Sequence, residues 1–340
     1  MLINLISDTV TKPVPEMLEA MMQAEVGDDV FGDDPTINAL EKKAASMFGH
    51  EAALFCSSGT LSNQIAIRLN TQPLEEIICH KSSHIFWYET AAYAMISNVV
   101  INPIDSDDGK LHPDQIAQNQ KPLIDWLPYT SMVEIENSCN REGGCYYTYA
   151  EMEALSAECK RLNLKFHLDG ARIFNVLVET GDQPSDIGPM FDTISVCLSK
   201  GLGAPVGSML ISSAENIKKA RRIRKSLGGG MRQAGYLAAA GIYALDHHIE
   251  KLRNDHAKAR HTESLLKSLP YISSIKPVFT NIVIFDLAAQ ISTTHFLDYL
   301  KSNGILATAF GPKTIRFVFH LDITESMMPH LEKCLKSYLP

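Results

Sequence analysis

One lysine in this chain, Lys200, occupies a position where an amine could act as a nucleophile. It follows a mostly apolar, β-branched run at 193–198 that is typical of a buried strand. Burial lowers the pKa of an ammonium group, and an amine with a lowered pKa can attack a carbonyl carbon to form a Schiff base. Gly201 and Gly203 follow, and they would let the backbone come close to a ligand. Taken alone, a lysine at a strand end is most often exposed to solvent.

A carboxylate, Asp169, occupies a similar position earlier in the chain. It follows the predicted strand 164–168 and precedes Arg172. Between Asp169 and Lys200 the sequence predicts one helix and one returning strand, so both side chains should project from the carboxyl ends of neighbouring strands. Open α/β sheets bind their ligands at that edge. We therefore expect Asp169 and Lys200 to face one site.

A loop of small residues follows another predicted strand, 52–55, and precedes a helix that resumes at Leu61. This arrangement directs backbone N–H groups and the positive end of a helix dipole toward an anion. Gly59, Thr60 and Ser58 are the candidates to bind a phosphate there. Many α/β loops share this pattern, so the signal is weak by itself.

Several basic side chains are further candidates. His84 comes shortly after the predicted strand 76–79, where an imidazole can stack on a planar ring or transfer protons. A strongly basic segment, 214–227, is most simply the solvated face of a helix. Lys225 and Arg232 flank the glycines that end this segment, and they are placed to reach an anion.

Composition excludes several classes of protein. The chain has 340 residues, 45% apolar and 21% charged, which is typical of a globular protein with a sizeable core. Its net charge of -8 disfavours nucleic-acid binding. The seven cysteines form no CxxC pair, so neither a metal site nor a disulfide framework is indicated. We expect a cytoplasmic protein without a signal peptide or a membrane segment.

The order of predicted elements indicates the fold class. Strands and helices alternate between residues 52 and 210, which predicts an α/β fold with a mainly parallel sheet covered on both faces. Before that region, Asp34 followed by Pro35 predicts the start of a helix.

We expect two domains, a large one at 1–250 that includes an N-terminal arm, and a small α+β one at 251–340. One long helical run is predicted from Met231 to about Leu269. In the small domain short strands alternate with helices, and Pro277 restricts the predicted strand 275–279 to a sheet edge.

An aspartate, a lysine able to form a Schiff base and a phosphate-binding loop on three strand ends suit pyridoxal phosphate. The carboxylate would keep the pyridine nitrogen protonated, and the ring would then accept electrons from the substrate's Cα. The chain also resembles the low-specificity L-threonine aldolases of the fold type I pyridoxal-phosphate enzymes. The resemblance rests on SDTVTKP (7–13), EVGDDVFGDDPTINALE (25–41), ALFCSSGTLSNQ (53–64), SSHI (82–85), HLDGARIFN (167–175), SVCLSKGLGAPVGS (195–208), RRIRKSLGGGMRQAG (221–235) and IRFVFHLDIT (315–324).

The resemblance implies a seven-stranded, mainly parallel sheet between helices, and a dimer or tetramer with active sites at subunit interfaces. It also implies roles for individual residues. Lys200 would bind the cofactor as a Schiff base, Asp169 would contact its ring nitrogen, and His84 would stack on its ring. The phosphate would be bound by Ser58, Gly59 and Thr60 and by Lys225 or Arg232 of a neighbouring subunit, and Arg172 would also contact the cofactor. The substrate carboxylate would be bound by Ser7, Arg172 and Arg316.

One segment departs from the family pattern. Where the family commonly has ENTHN, this chain has ENSCN at 136–140, so Cys139 replaces a histidine. A thiol is smaller than imidazole and donates weaker hydrogen bonds. We expect the Cys139 sulfur to lie in the substrate pocket and to leave room for larger β-substituents such as phenyl, although a buried free cysteine often only fills space.

The family implies cleavage of threonine or allo-threonine to glycine and acetaldehyde, with His84 or an ordered water as the base for the β-hydroxyl proton. Two alternatives stay open: β-elimination or cleavage of bulkier β-hydroxy amino acids such as phenylserine, and a non-catalytic relative that only binds the cofactor or a partner. A nicotinamide site at GLGAPVG (201–207) is excluded, because its glycines lack the spacing and the following helix of a dinucleotide loop.

Lys200→Ala should abolish the covalent link to the cofactor, because alanine has no amine. The measurement is borohydride reduction of the purified protein followed by peptide mass spectrometry. A covalent adduct in the variant would show that another residue forms the link.

Overall fold

The computed structural model describes residues 2–339, which form both strands and helices. The strands are β1 (Ile3–Asn4), β2 (Ala52–Cys56), β3 (Glu75–His80), β4 (Val100–Ile104), β5 (Tyr129–Glu136), β6 (Lys165–Asp169), β7 (Thr193–Cys197), β8 (Ser208–Ser212), β9 (Ile272–Ile275), β10 (Ile282–Leu287), β11 (Ile305–Leu306), β12 (Thr308–Ala309) and β13 (Thr314–Val318). The helices are α1 (Pro15–Met22), α2 (Pro35–Met47), α3 (Gly59–Asn70), α4 (His84–Trp87), α5 (Pro113–Asn119), α6 (Tyr149–Arg161), α7 (Ile173–Thr180), α8 (Pro184–Ile187), α9 (Ala214–Ser226), α10 (Gly235–His247), α11 (Leu252–Leu266), α12 (Thr293–Ser302) and α13 (Met328–Ser337).

A seven-stranded sheet organises the larger part of the molecule, in the order β2–β8–β7–β6–β5–β3–β4. Only β8 runs antiparallel to its neighbours within this sheet, so the expected mainly parallel sheet is confirmed. Both faces are covered, since Ala53 and Phe55 of β2 pack into the main core while Leu54 and Cys56 pack on the other side with residues of α3 and α9. Sequence reasoning does not identify β8 itself.

The parallel strands bring chemically active residues to one edge. Strand β5 ends at Glu136 and β6 ends at Asp169, and these two residues are register partners. Asp169 is in turn paired with Ser195 of β7, the strand that leads to Lys200. The fold therefore places Asp169 and the segment that carries Lys200 on neighbouring strand ends, as the sequence predicts.

The second unit is built on a four-stranded antiparallel sheet, β12–β13–β10–β9, covered by α11 to α13. The N-terminal arm joins this unit, because β1 pairs in parallel with β11 and both Ile3 and Leu5 are buried in its core. Within residues 2–339, every helix is too short or too polar to span a bilayer.

The structure corrects two local predictions. The predicted long helix is interrupted between α10 and α11. The buried His248 lies at this interruption, and its Nδ1 is 2.7 Å from the carbonyl oxygen of Leu202, two residues after Lys200. The predicted strand 275–279 ends earlier, at Ile275, and Pro277 lies beyond it because proline cannot donate a ladder hydrogen bond. The predicted helix start is confirmed, with Asp34 accepting hydrogen bonds from two N–H groups in the first turn of α2.

Candidate active site

Asp169 is the buried carboxylate of the site, and 1% of the residue is exposed to solvent. Its Oδ1 accepts a hydrogen bond from the backbone N–H of Ala171 at 3.1 Å, and its Oδ2 accepts one from Asn63 Nδ2 at 2.7 Å. Both donors are neutral groups. Because a buried carboxylate is unfavourable without a compensating charge, this arrangement favours a ligand that brings a cationic N–H.

His84 begins α4 beside this carboxylate. Its backbone N–H donates to Glu136 Oε2 at 3.1 Å, and its ring Nδ1 lies 3.0 Å from Glu89 Oε1. Burial lowers the pKa of His84, but the hydrogen bond with Glu89 and the charges of Asp169 and Glu136 outweigh it and raise the pKa overall. The site therefore stabilises a positive charge on this imidazole.

The predicted phosphate loop forms the N-terminus of α3. Ser58 is the N-cap residue, and its Oγ accepts a hydrogen bond from the backbone N–H of Leu61 at 3.1 Å. Gly59 and Thr60 lie in the first turn, whose N–H groups have no carbonyl partner within the helix. A Cβ on Gly59 would lie 2.7 Å from Cys197 Sγ, so glycine is needed for α3 to approach β7. This helix end suits a phosphate.

Lys200 lines a cavity of about 400 Å³ between the two units, large enough for a small-molecule ligand. Tyr88 and Phe310 form aromatic parts of its wall. Part of the predicted set meets here, since the same cavity is lined by Ser7, His84, Arg172, Lys200 and Arg316, and also by Asn140. Asp169 and the N-terminal turn of α3 are not among its lining residues.

Arg316 reaches the cavity from β13 of the small unit. Its Nη1 donates to Asn140 Oδ1 at 2.8 Å and its Nη2 donates to the carbonyl oxygen of Ile6 at 3.0 Å. Its Nε is buried and has no partner within residues 2–339. Burial lowers the pKa of Arg316 to about 10, and the nearby charge of Arg172 adds to this effect. A carboxylate ligand would supply both the missing acceptor and the missing negative charge.

Arg172 is already paired with an acidic residue of its own chain. Its Nε and Nη2 donate to the two carboxylate oxygens of Asp8, each at 2.7 Å, and both side chains are buried. The two-pronged edge of Arg172 that would bind a substrate carboxylate is therefore occupied, although the residue lines the cavity. Burial raises the pKa of Asp8, but the charge and hydrogen bonds of Arg172 lower it more, to about 2.

Two predicted cofactor ligands lie elsewhere in the single chain. Lys225 lines a separate cavity of about 440 Å³ with Arg221, Arg222 and Arg224. The exposed Arg232 pairs through Nη1 with Asp28 Oδ2 at 2.9 Å. Neither side chain lines the cavity at Lys200.

Cys139 is not among the residues that line this cavity in the single chain. The backbone N–H of Cys139 donates to the carbonyl oxygen of Cys145 at 2.8 Å, and Sγ lies 3.0 Å from the carbonyl oxygen of Glu136. In this bridge between Cys139 and Cys145, the Cys139 side chain packs within the loop and against the main core. The next residue, Asn140, lines the cavity, and the place of Cys139 in the substrate pocket stays a prediction.

Sequence reasoning did not select the polar contributors Asp8, Asn63, Glu89 and Asn140, nor the aromatic wall residues Tyr88 and Phe310. The available signal for Asn63 is the polar run Ser62-Asn63-Gln64 on a helix packed against the sheet, where all three side chains are buried. Asp8 follows Ser7 and Asn140 follows Cys139, both of which are predicted site residues. No sequence pattern near Glu89 indicates a role in the site.

Comparison with known proteins assigns the chain to a class. A family model described as Beta-eliminating lyase matches residues 4–290, which is most of the chain. The chain therefore belongs to the family of the β-eliminating lyases.

Its full-length relatives place it more narrowly. It is 37% identical over 339 residues to the low specificity L-threonine aldolase of Escherichia coli (strain K12), with 99% of each chain covered. It is 36% identical to low-specificity L-threonine aldolase 1 of Arabidopsis thaliana, with 98% of this chain and 95% of that one covered. The threonine aldolase structure of Leishmania major has the same fold, with a TM-score of 0.85, 23% identity and 98% of each chain covered. The resemblance to the low-specificity L-threonine aldolases is confirmed.

Asp8→Asn should destabilise the protein by about 3 kcal/mol at pH 7, because it leaves a buried Arg172 uncompensated. The folded-state pKa of Asp8, about 2, is below its ordinary value. The stability from this ionisation is therefore present above about pH 4 and is lost as the pH falls toward 2. Urea unfolding of both proteins should show the difference narrowing below pH 4. Asp33→Asn, at an exposed position, is the control; a pH-independent difference would contradict the ion pair.

Proposed function

We propose that this protein is a pyridoxal-phosphate-dependent carbon–carbon lyase that cleaves L-threonine or L-allo-threonine to glycine and acetaldehyde. The observation that carries the proposal is the meeting of an amine, a buried carboxylate and a helix N-terminus at one sheet edge, beside a cavity lined by two arginines. Those groups are Lys200, Asp169, the first turn of α3, Arg172 and Arg316. The named relatives support the same reaction class.

The residues fit the cofactor. Lys200 would bind its aldehyde carbon, Asp169 would accept a hydrogen bond from its ring nitrogen, and the N-terminus of α3 from Ser58 to Thr60 would hold its phosphate. The groups that donate hydrogen bonds to Asp169 are neutral, so a cationic ring N–H would be its directly hydrogen-bonded charged partner. When bound, pyridoxal phosphate supplies a ring that accepts the electrons of the broken Cα–Cβ bond.

The substrate would be held by its carboxylate. Arg316 has an unpaired Nε and a charge without an acidic partner in the described chain, so it is the principal anchor. Ser7 and the remaining N–H groups of Arg172 would support it, since the Asp8 pair leaves Nη1 of Arg172 available. Tyr88 and Phe310 would pack against the substrate and limit access of water.

His84 would take the proton of the β-hydroxyl group. Its Nδ1 is engaged by Glu89, whereas Nε2 makes no hydrogen bond within residues 2–339. The proton leaves the substrate oxygen for Nε2 as the Cα–Cβ bond breaks and the aldehyde carbonyl forms. The surrounding carboxylates of Glu89, Asp169 and Glu136 would stabilise the resulting imidazolium.

We also propose a cytoplasmic homodimer or homotetramer in which Lys225 or Arg232 serves the phosphate of a neighbouring subunit. Three arginines, Arg221, Arg222 and Arg224, line one cavity together with Lys225. Asp29 is the one acidic residue in that lining, so positive charge is in excess there. The exposed Phe31 next to this region is consistent with a subunit contact.

The direct experiment incubates the cofactor-loaded protein with L-threonine, L-allo-threonine and L-phenylserine. We expect glycine and the matching aldehyde in equal amounts. The family description makes β-elimination the second candidate, and that reaction would release a keto acid and ammonia instead. Absence of any product would identify a non-catalytic relative and contradict the proposal.

Asp169→Asn should leave the cofactor bound but lower turnover by on the order of ten- to a hundredfold, because a neutral amide does not hold the proton on the ring nitrogen. Absorbance at the cofactor's visible band and steady-state kinetics measure the two effects. Asp33→Asn is a matched exposed control. Near-normal turnover in Asp169→Asn would contradict the assignment.

A further inference from the structure

Glu89 is a buried carboxylate that contacts the proposed base, His84, without lining the cavity itself. It follows α4, and its side chain has no exposed surface. It accepts three hydrogen bonds: from His84 Nδ1 at 3.0 Å, from Asn63 Nδ2 at 2.9 Å and from Gln64 Nε2 at 2.6 Å. So many contacts on one side chain fix its position and, through it, the position of the His84 ring.

The contacts also determine which nitrogen of His84 carries the proton. Asn63 donates from Nδ2 both to Glu89 Oε1 and to Asp169 Oδ2, so it holds the two carboxylates side by side. An amide N–H can only donate and an ionised carboxylate can only accept. Nδ1 of His84 must therefore carry the proton that lies between it and Glu89. Nε2 is left as the ring nitrogen available to the cavity.

We propose that Glu89 is a positioning residue that holds His84 with Nδ1 protonated, so that Nε2 accepts the β-hydroxyl proton of the substrate. The inference rests on the proposed function, the retro-aldol cleavage of the substrate's Cα–Cβ bond. In that step Nε2 gains the proton that the substrate oxygen loses, and Nδ1–H stays hydrogen-bonded to Glu89. The negative charge of Glu89 then faces the imidazolium directly, and no oxidant or reductant is needed.

The charges around His84 define the expected pH effect. Burial and the positive charge of Lys200 lower the pKa of His84, while the hydrogen bond with Glu89 is the largest effect that raises it. Neutralising Glu89 should therefore lower this pKa. The titratable groups that face the ring are Glu89 beside it, Tyr88 at the end of α4, Asp169 from β6, Glu136 from β5, Lys200 after β7 and, across the cavity, the two arginines.

Glu89→Gln tests this with little change in shape. Glutamine keeps an oxygen for Asn63 and His84 and places an NH₂ group toward Gln64. The Oε1 of Gln64 has no partner within residues 2–339, so rotation of the Gln64 amide can present that oxygen to the new donor. The control is Glu142→Gln, which removes a carboxylate bonded to Ser82 and Lys276 outside the catalytic cavity.

Two readouts separate this inference from the function on which it rests. The first is the pKa of His84 itself, measured by NMR on protein with ¹³C-labelled histidine and assigned with His84→Gln. The second is the dependence of kcat/KM for L-threonine cleavage on pH. In Glu89→Gln we expect the His84 pKa and the acid limb of the profile to move to lower pH together, by about one unit. Glu142→Gln should match the wild type in both.

An unchanged His84 pKa in folded Glu89→Gln would overturn the inference. So would a uniform loss of kcat at every pH without movement of the acid limb, because that result describes a structural role only. If the wild type cleaves none of the substrates, the proposed function fails. The NMR titration then still decides whether Glu89 controls the protonation of His84.

Discussion

The site depends on a group of carboxyl side chains that the fold buries at one edge of the sheet. Asp169, Glu136 and Glu89 are all nearly inaccessible to solvent, and Glu134 lies behind them with neither carboxylate oxygen paired in the described chain. Burial raises the pKa of Glu134 well above its ordinary value, and repulsion from Asp169 and Glu136 adds to this. A further anion is therefore disfavoured there, while a cationic ring nitrogen or a protonated His84 is stabilised.

The fold forms this edge of the sheet, and the N-terminal arm covers it. Parallel strands β5 and β6 end side by side, and the N-terminal arm crosses from the small unit to the large one, where Asp8 pairs with Arg172. The same arm accepts a hydrogen bond from Arg316 through the carbonyl oxygen of Ile6. Both arginines thus depend on one short segment, and the cavity for the substrate forms only when the two units are docked.

Local sequence patterns were sufficient for residues whose position follows from a strand end or a helix start, as for Asp169, Lys200 and Gly59. They were not sufficient for contacts made across the fold: Asn63 of α3 and Glu89, which follows α4, meet only in the folded chain. The likeness to the family predicts Cys139 in the pocket, and no local pattern predicts the backbone bridge that joins it to Cys145. The Lys225 and Arg232 roles involve a second subunit, so a single chain leaves them as predictions.

The most direct test of the central claim compares two ligands of the apoprotein: pyridoxal phosphate and its analogue in which a benzene ring replaces the pyridine. Both keep the aldehyde and the phosphate, so only the ring nitrogen differs. If buried Asp169 requires a cationic N–H, the wild type should bind pyridoxal phosphate roughly ten- to a hundredfold more tightly, and Asp169→Ala should lose most of that preference. Equal affinity of the wild type for the two ligands would contradict the account.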